Sequence, residues 1–264
     1  MSRSFRRRES PSRPSPRALR GTDEPPFAPP RRPMTDLEDL LAMDLQAGED
    51  DWTPTPHGQW LAAVLAEHDL VSGKDVLELG AGVANHTILL HRRGARSITA
   101  TEITPGLLET AGANFRRNVG DDVDIDLRVA DWLSTDGTFD IVVTNPPFCQ
   151  SGKQNRRYFI DSLILDGHKR LRPEGELLFI QSSMADVPQT LRRLDQNGYD
   201  ARVVDSTSGP FRDYYFEDAA FMEEIERVEG GYEERDGVKY ETLSVIHAKL
   251  RPWAPHASAH LPGR

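Results

Sequence analysis

The sequence predicts an α/β fold in which a seven-stranded, mostly parallel sheet carries helices on both faces. Two observations predict it. Short apolar runs of strand length alternate with longer segments of helical periodicity through most of the chain. Glycine, proline and asparagine stand between these segments, where the chain must turn. No apolar run approaches the roughly 20 residues that a membrane span needs, so we expect no membrane partner.

The predicted elements follow one another in regular order. Thr104-Pro105 gives a helix cap followed by a proline suited to the first helical position, and Asn197-Gly198 gives a helix stop. The predicted strands are 75–79, 97–101, 124–129, 140–144, 176–181, 201–204 and 243–249. The predicted helices lie near 35–46 and 57–70, from 85 onward, from 105 to 118, near 155–171 and near 186–197.

The two ends of the chain differ in composition from its middle. Residues 1–33 are rich in serine, proline and arginine, so we expect a disordered tail there. Met34 precedes a capping box formed by Thr35 and Glu38, and we expect Met34 to be the initiator. The predicted organisation is then a tail over 1–33, N-terminal helices over 34–70, the catalytic domain over 71–250 and a flexible tail over 251–264.

The charge is unevenly spread along the chain. Nine arginines and three acidic residues give residues 1–33 a charge of +6, which leaves −16 for the rest because the net charge is −10. Such an acidic body disfavours a large nucleic-acid surface, which needs basic residues against the phosphates, and favours a cationic substrate. The single cysteine, Cys149, excludes an internal disulfide and a cysteine-based zinc site, and we expect no metal. The N-terminus lacks the apolar stretch of a secretory signal, so we expect a cytoplasmic protein.

The carboxyl ends of three successive predicted strands carry residues suited to a nucleoside. Gly80 and Gly82 form a glycine-rich turn after the first strand, where the backbone can approach a ligand closely. Glu102 ends the second strand and can accept hydrogen bonds from both ribose hydroxyls. Asp131 ends the third strand and can take an amino hydrogen of adenine, while Trp132 can cover the face of the ring.

A dinucleotide site is the alternative interpretation of this edge. Its fingerprint needs a third glycine at the position of Asn85, where the helix packs closely around a pyrophosphate. A ligand without a pyrophosphate fits this turn better, and S-adenosylmethionine is such a ligand.

The sequence Asn145-Pro146-Pro147-Phe148 follows the fourth predicted strand. Because proline fixes φ and donates no hydrogen bond, the chain must leave the sheet in a stiff, extended turn. The Asn145 amide oxygen and the Pro146 carbonyl can then hold both hydrogens of an amine, whose lone pair is left pointing outward to attack. Phe148 can stack on the planar group that carries this nitrogen.

With these residues the sequence resembles class I S-adenosylmethionine-dependent methyltransferases, specifically the Asn-Pro-Pro-Phe/Tyr branch of methyltransferase small domains and release-factor glutamine methyltransferases. The resemblance spans about residues 50–250 and implies a Rossmann-like domain whose last strands include an antiparallel one. The sequence departs from the family at Ala84, where a third glycine is usual. The implied cofactor is S-adenosyl-L-methionine, held by Glu78, Gly80, Gly82, Glu102, Asp131, Trp132 and Asn145, and the implied catalytic residues are Asn145, Pro146 and Phe148.

The resemblance implies methyl transfer to a planar nitrogen (an amide, a guanidine or an exocyclic amine) of a small molecule or protein side chain. The alternative substrate is an RNA or DNA base, which the basic residues near 153–157 favour and the acidic body disfavours. A third interpretation is a non-catalytic scaffold with the same fold. It is disfavoured because Glu102, Asp131 and Asn145 are all present.

Three further features are compatible with more than one function. Residues 150–158 are polar and locally basic, as in a lid, an anion site or a solvated loop. Residues 208–237 combine aromatic and acidic side chains, which suits a cationic partner or an amphipathic helix, and the helical spacing of the apolar residues favours the helix. His57 and His86 stand at predicted helix starts, where caps or surface residues are more typical than acid–base groups.

Overall fold

The computed structural model describes residues 41–48, 54–147 and 156–252, all within the compact unit Met34–Arg264. Both predicted tails except residues 251 and 252, Phe148, and most of the helix predicted near 35–46 lie outside the described residues. Of that helix, Leu41 is helical, and residues 42–48 have no regular structure. No helix among the described residues is both long enough and apolar enough to cross a bilayer.

The described elements follow the predicted alternation and add one short strand, at 233–235, that the sequence does not predict. The strands are β1 Asp75–Leu79, β2 Ser97–Glu102, β3 Asp126–Val129, β4 Phe139–Thr144, β5 Leu171–Ser182, β6 Tyr199–Pro210, β7 Glu233–Arg235 and β8 Val238–Leu250. The helices are α1 Pro56–Glu67, α2 Asn85–Arg92, α3 Pro105–Val119, α4 Tyr158–Asp166, α5 Val187–Gln196 and α6 Ala219–Glu226. Short 3₁₀ helices span Gly167–Arg170, Ser183–Ala185 and Asp213–Glu217.

The strands form one sheet in the order β3-β2-β1-β4-β5-β8-β6, with the short β7 paired to β8. The first five strands of this order are parallel, and β8 is antiparallel to both of its neighbours. These findings confirm a mostly parallel sheet with an antiparallel strand near the end of the chain. The strand order reverses direction between β1 and β4, and an open α/β sheet binds its ligand at such a switch point.

The core lies on both faces of the sheet because alternate strand residues point to opposite sides. Val76 and Ile141 point to the side covered by α1, α2 and α3, and Leu77 and Val142 point to the side covered by α4 and α5. All four side chains are buried. Burying an aliphatic side chain of this size contributes about 1.5–3 kcal/mol, so the central strands are rigid supports for whatever their ends carry.

Three strands, β5, β6 and β8, extend well beyond the bounds that the sequence predicts. The outer β6 continues through Ser208, Gly209 and Pro210, which pair with β8 although they are typical of a turn. They are tolerated because β6 lies at the edge of the sheet, where a proline need not donate to a neighbour. β5 begins at Leu171, which pairs with Phe139, and regular pairing resumes at Glu176 after an irregularity.

The helices α1 and α3 begin with the same local signal. Thr55 accepts a hydrogen bond from the Gly58 amide and Thr104 accepts one from the Leu107 amide, and each is followed by proline. The helix predicted near 155–171 is shorter, because α4 ends at Asp166 and the chain tightens into a 3₁₀ turn before β5.

Candidate functional site

A cavity of about 380 Å³ opens at the carboxyl edge of the sheet, next to the switch point. Of the residues that the sequence predicts for the site and the structure describes, all but one line this cavity. The lining members of the predicted set are Gly80, Gly82, Glu102, Asp131, Trp132, Asn145 and Pro146. They come from the ends of β1, β2, β3 and β4, which agrees with the rule that parallel strands present their ligand residues at one edge.

Glu102 ties the end of β2 to the glycine turn after β1. Its Oε1 accepts a hydrogen bond from the Gly82 amide at 2.6 Å, and its Oε2 accepts one from the Ile103 amide at 3.0 Å. Gly82 has φ of 54° and Gly80 has φ of 74°, a backbone conformation that glycine adopts without strain. A carboxylate oxygen accepts more than one hydrogen bond, so both oxygens keep capacity for ligand hydroxyls.

The wall beyond Glu102 is apolar with one exposed acid. Trp132 has φ of 51°, and its ring meets that of Phe159 edge to face at 4.9 Å between centroids. The indole nitrogen of Trp132 donates to Ser162 Oγ at 2.7 Å, which fixes the ring. Ile103 lines the same region and is exposed, while Asp131 beside it is also exposed and open to the cavity. This wall suits a flat heterocycle that carries an amino group.

Asn145 and Pro146 form the wall on the β4 side. Among the described residues the Asn145 side chain has no hydrogen-bond partner, so its carboxamide is available to the cavity. Gly58 lies against it, since a Cβ built on Gly58 would be 3.4 Å from Asn145 Nδ2. Thr144 at the end of β4 donates from Oγ1 to the Leu79 carbonyl at 2.9 Å, which holds the ends of β4 and β1 together.

Glu78 is the predicted site residue that does not line the cavity. Its carboxylate is buried and accepts a hydrogen bond from Thr87 Oγ1. The buried His86 lies between Glu78 and the cavity, with Nδ1 3.6 Å from the carboxylate and Nε2 2.8 Å from the Gly58 carbonyl. Because a carbonyl only accepts, Nε2 carries the proton. In this geometry Glu78 supports the start of α2 and the position of Gly58.

His57 belongs to a buried polar cluster that the sequence analysis did not find. His57 Nδ1 accepts a hydrogen bond from an Nη2 of Arg212, and its Nε2 lies 3.7 Å from the Glu241 carboxylate. Burial, together with the positive charge of Arg212, lowers the pKa of His57 to about 3, so the ring is neutral at pH 7. Burial raises the pKa of Glu241, whose other oxygen accepts from the Tyr215 hydroxyl at 2.9 Å.

The surface or capping location expected for His57 and His86 is therefore wrong. Both side chains are buried and both line the cavity. Thr55 caps α1 in place of His57, and Ala84, at φ of 68°, precedes α2 without a side-chain cap. A helix start placed under a cavity buries residues that a helix start on the surface would leave exposed.

The segment between β6 and β7 contributes a cation to the cavity. The helical spacing predicted there is present in α6, whose Phe221 and Ile225 pack with Phe211 and Tyr215 in a small separate cluster. The described acids of α6 and its cap are used elsewhere: Asp218 caps α6, and Glu223, Glu224 and Glu226 pair with Arg227, Arg156 and Lys239. The residues of this segment that line the cavity are Arg212, Tyr214 and Tyr215.

The two arginines of the predicted basic cluster that the structure describes make internal contacts. Arg156 pairs with Glu224 and donates to the Met184 carbonyl at 3.0 Å. Arg157 is buried, with hydrogen bonds to Asp161, Thr190 and the backbone before α5. Both side chains fasten the start of α4 to neighbouring elements.

Within the described residues, one group has metal-ligand spacing. Glu67, His68 and Asp205 each place a ligand atom within 4.8 Å of the others, away from the cavity wall. The group lies near the surface, and acidic surface clusters of this kind are common without an ion. We assign no metal site to it.

An α/β sheet of this order with a nucleoside-sized cavity at its carboxyl edge is the architecture of S-adenosylmethionine-dependent methyltransferases. Comparison with known proteins agrees. Residues 58–207 match the family model of the methyltransferase small domain, and the chain belongs to that family. The protein is therefore an enzyme of the methyltransferase class, and the scaffold interpretation is set aside.

The individual relatives described next have low sequence identity to this chain. A candidate protein N5-glutamine methyltransferase of Methanocaldococcus jannaschii is 26% identical over 159 residues, which cover 54% of this chain and 79% of that protein. A tRNA1(Val) (adenine(37)-N6)-methyltransferase of Phocaeicola vulgatus is 27% identical over 103 residues, 39% of this chain and 40% of that protein. The crystal structure of a methyltransferase from Pyrococcus furiosus has a TM-score of 0.51 at 18% identity, covering 79% of this chain and 91% of that one, and so shares the fold.

Proposed function

We propose that the protein transfers a methyl group from S-adenosylmethionine to a planar nitrogen of a protein side chain or a small molecule. The observation that carries the proposal is the Asn145 carboxamide, which faces the cavity beside the glycine turn of β1 with no partner among the described residues. The two relatives described above are named for methylating a glutamine amide and an adenine amine, both planar nitrogens.

The residues present fit the cofactor. Glu102 is held by two backbone amides and keeps lone pairs for the two ribose hydroxyls. Asp131 can accept from the adenine amino group, and the apolar side chains of Trp132 and Ile103 line the same cavity. A Cβ on Gly80 or Gly82 would meet no protein atom within 4 Å, so the wall is open where the methionine part would pass. When bound, S-adenosylmethionine supplies the electrophilic methyl group.

The residues of the chain act on the acceptor nitrogen by binding and orienting it. Asn145 Oδ1 and the Pro146 carbonyl accept its two hydrogens, which directs the lone pair into the cavity. As positive charge develops on the nitrogen, both oxygens stabilise it, and the prolines keep them from relaxing away. Positioning supplies much of the rate, because aligning two reactants removes an entropic barrier. Phe148, which we expect to stack on the acceptor, lies outside the described residues.

Base methylation in RNA is the second candidate function, because one relative is named for tRNA adenine methylation. The net charge of −10 disfavours this function. Arg156 and Arg157 disfavour it as well, because they pair with Glu224 and Asp161 of the protein itself. Binding of RNA by counterion release would weaken steeply with salt. The affinity for a transfer RNA is measured at about 50 and about 200 mM salt. A steep loss of affinity with salt favours base methylation in RNA, and its absence contradicts that function.

Calorimetry with S-adenosylhomocysteine tests the cofactor site. We expect wild type to bind and Glu102→Ala to lose about 100-fold in affinity, because two charge-assisted hydrogen bonds to the ribose are lost. Glu109→Ala, on α3 and outside the cavity wall, is the matched control. Absence of binding by wild type would reject the proposal. Binding would justify a screen of radiolabelled methyl transfer to amide, amine, guanidine, peptide and RNA acceptors.

A further inference from the structure

Arg212 is the one fully charged cation among the described residues of the cavity wall. The other charged side chains there are Glu102 and Asp131, at the ends of β2 and β3. Arg212 contacts His57, whose neighbour Gly58 lies against Asn145. Its guanidinium therefore lies at the methyl-transfer end of the cavity, the end that carries the Asn-Pro-Pro sequence.

No carboxylate of the described residues forms an ion pair with Arg212 within 4 Å, whereas Arg156, Arg227 and Lys239 around it each pair with a glutamate. Its hydrogen-bond acceptors are the neutral His57 ring and the Tyr214 hydroxyl, the latter at 2.9 Å from Nη1. The acid of the cluster, Glu241, lies behind His57 and accepts from Tyr215. The positive charge of Arg212 thus faces the cavity without a direct counter-ion.

The geometry holds the guanidinium in one place. Its carbon lies 5.6 Å from the centroid of the Tyr214 ring and 5.7 Å from that of Tyr215, close enough for cation–π attraction. A guanidinium has five N–H donors, and these contacts use two of them. A planar fork of donors that is already immobilised matches the two oxygens of a carboxylate and loses little entropy on binding one.

We propose that Arg212 binds a carboxylate at the methyl-transfer end of the cavity. The proposal rests on the function proposed above, under which a carboxylate can come from two sources. One is the aminocarboxylate of S-adenosylmethionine itself, and the other is an acidic group on the methyl acceptor. His57 and Tyr214 are positioning residues for the guanidinium in either case.

Calorimetry on the full chain separates the two sources. Wild type and Arg212→Gln are titrated with S-adenosylhomocysteine and with 5′-methylthioadenosine, which keeps the nucleoside and the sulfur but lacks the aminocarboxylate. If the cofactor supplies the carboxylate, Arg212→Gln weakens S-adenosylhomocysteine by about 10- to 100-fold and leaves 5′-methylthioadenosine unchanged. If the acceptor supplies the carboxylate, Arg212→Gln binds both nucleosides as wild type does. Glutarate, a small dicarboxylate that represents the acidic group of the acceptor, then binds to the S-adenosylhomocysteine complex of wild type but not to that of Arg212→Gln.

Arg227→Gln is the matched control, because Arg227 is exposed, lies on the same segment and pairs with Glu223. It should bind all three probes as wild type does, and unchanged 5′-methylthioadenosine binding by Arg212→Gln shows that the cavity is intact. Equal S-adenosylhomocysteine affinity in wild type and Arg212→Gln, together with no difference in glutarate binding, overturns the proposal. If wild type binds neither nucleoside, the proposed function fails, and glutarate binding to the nucleoside-free proteins still tests Arg212.

Discussion

Asn145 shows how a single side chain can be prepared for chemistry by its backbone. It follows a buried strand whose last residue is bonded to β1, and two prolines follow it, so it has few conformations to lose. Asn145 lines the cavity with Gly58 packed against it, and its carboxamide forms no hydrogen bond with any described residue.

We expect Asn145→Ala to lower kcat by about 10²- to 10³-fold on the acceptor found in the methyl-transfer screen, because one of two oxygens that stabilise the developing charge is removed. Single-turnover transfer of a radiolabelled methyl group measures this. Asn197→Ala, at the end of α5, is the control and should keep wild-type turnover. Unchanged turnover in Asn145→Ala would remove Asn145 from the catalytic assignment.

His57 links the stability of the protein to pH. Its pKa is lowered to about 3 in the folded state from an unfolded value near 6.5. Below pH 6.5 the unfolded chain therefore binds a proton at this histidine, whereas the folded protein does not. The contribution of His57 to the free energy of unfolding is fully present above pH 6.5 and is lost progressively as the pH falls toward 3.

Between pH 7 and pH 5 this linkage amounts to about 2 kcal/mol of unfolding free energy. We expect His57→Gln, which can still accept from Arg212 but does not titrate, to lose less stability than wild type over this range. Urea unfolding at the two pH values measures the difference. His91→Gln, on α2 outside the cavity wall, should follow wild type. Parallel losses in wild type and His57→Gln would contradict the assignment.

At the scale of elements, the amino ends of the strands are joined by an ion network on the edge opposite the cavity. Asp75 at the start of β1 accepts from Arg96 and Ser97, and Arg172 of β5 bridges it to Asp140 of β4. The hydrogen bonds from Arg96 and Ser97 hold the pKa of Asp75 well below its usual range. The network fixes the relative position of four strands, and three of them, β1, β2 and β4, carry site residues at their other ends.

Asp75→Asn should lower the free energy of unfolding at pH 7 by about 1 kcal/mol, a value reduced by partial exposure of its partners. Because the folded pKa is depressed, this stabilisation is present above the unfolded pKa near 4 and is lost as the pH falls below it. Urea unfolding should show a larger difference between the two proteins at pH 7 than at pH 3, because part of the stabilisation is lost once the unfolded carboxylate takes up a proton. Asp126→Asn removes a more exposed pair with Arg128 and serves as the control.

The sequence predicts those elements whose pattern is local. β1 has the predicted bounds because it is a buried apolar run between polar turns, and Glu102 and Asp131 are found because parallel strands end at one edge. The extension of β6 is not predictable from composition, since its polar residues are ordered by backbone pairing to β8. Arg212 is likewise missed, because it meets His57 across 155 residues of sequence and no local spacing signals that contact.

For the whole molecule, ligand binding should appear as added stability. At 100 times its Kd, a ligand that binds only the folded state adds about 2.7 kcal/mol, which raises the Tm of a domain of this size by about 5–10 °C. We expect this shift with S-adenosylhomocysteine in thermal unfolding of wild type and its loss at the same concentration in Glu102→Ala. A shift of equal size in both proteins would place the nucleoside away from Glu102.

The position of β8 between β5 and β6 has a consequence for biosynthesis. β6 leaves the ribosome well before β8, yet it has no place in the sheet until β8 arrives to pair with it. At about 5–20 residues per second, the nascent chain spends some seconds with one edge of β5 open. That edge carries the apolar run Leu177–Ile180, and an unpaired apolar strand edge can pair with other chains and aggregate. The speed of translation from β5 to β8 therefore sets how long the nascent chain is prone to aggregation.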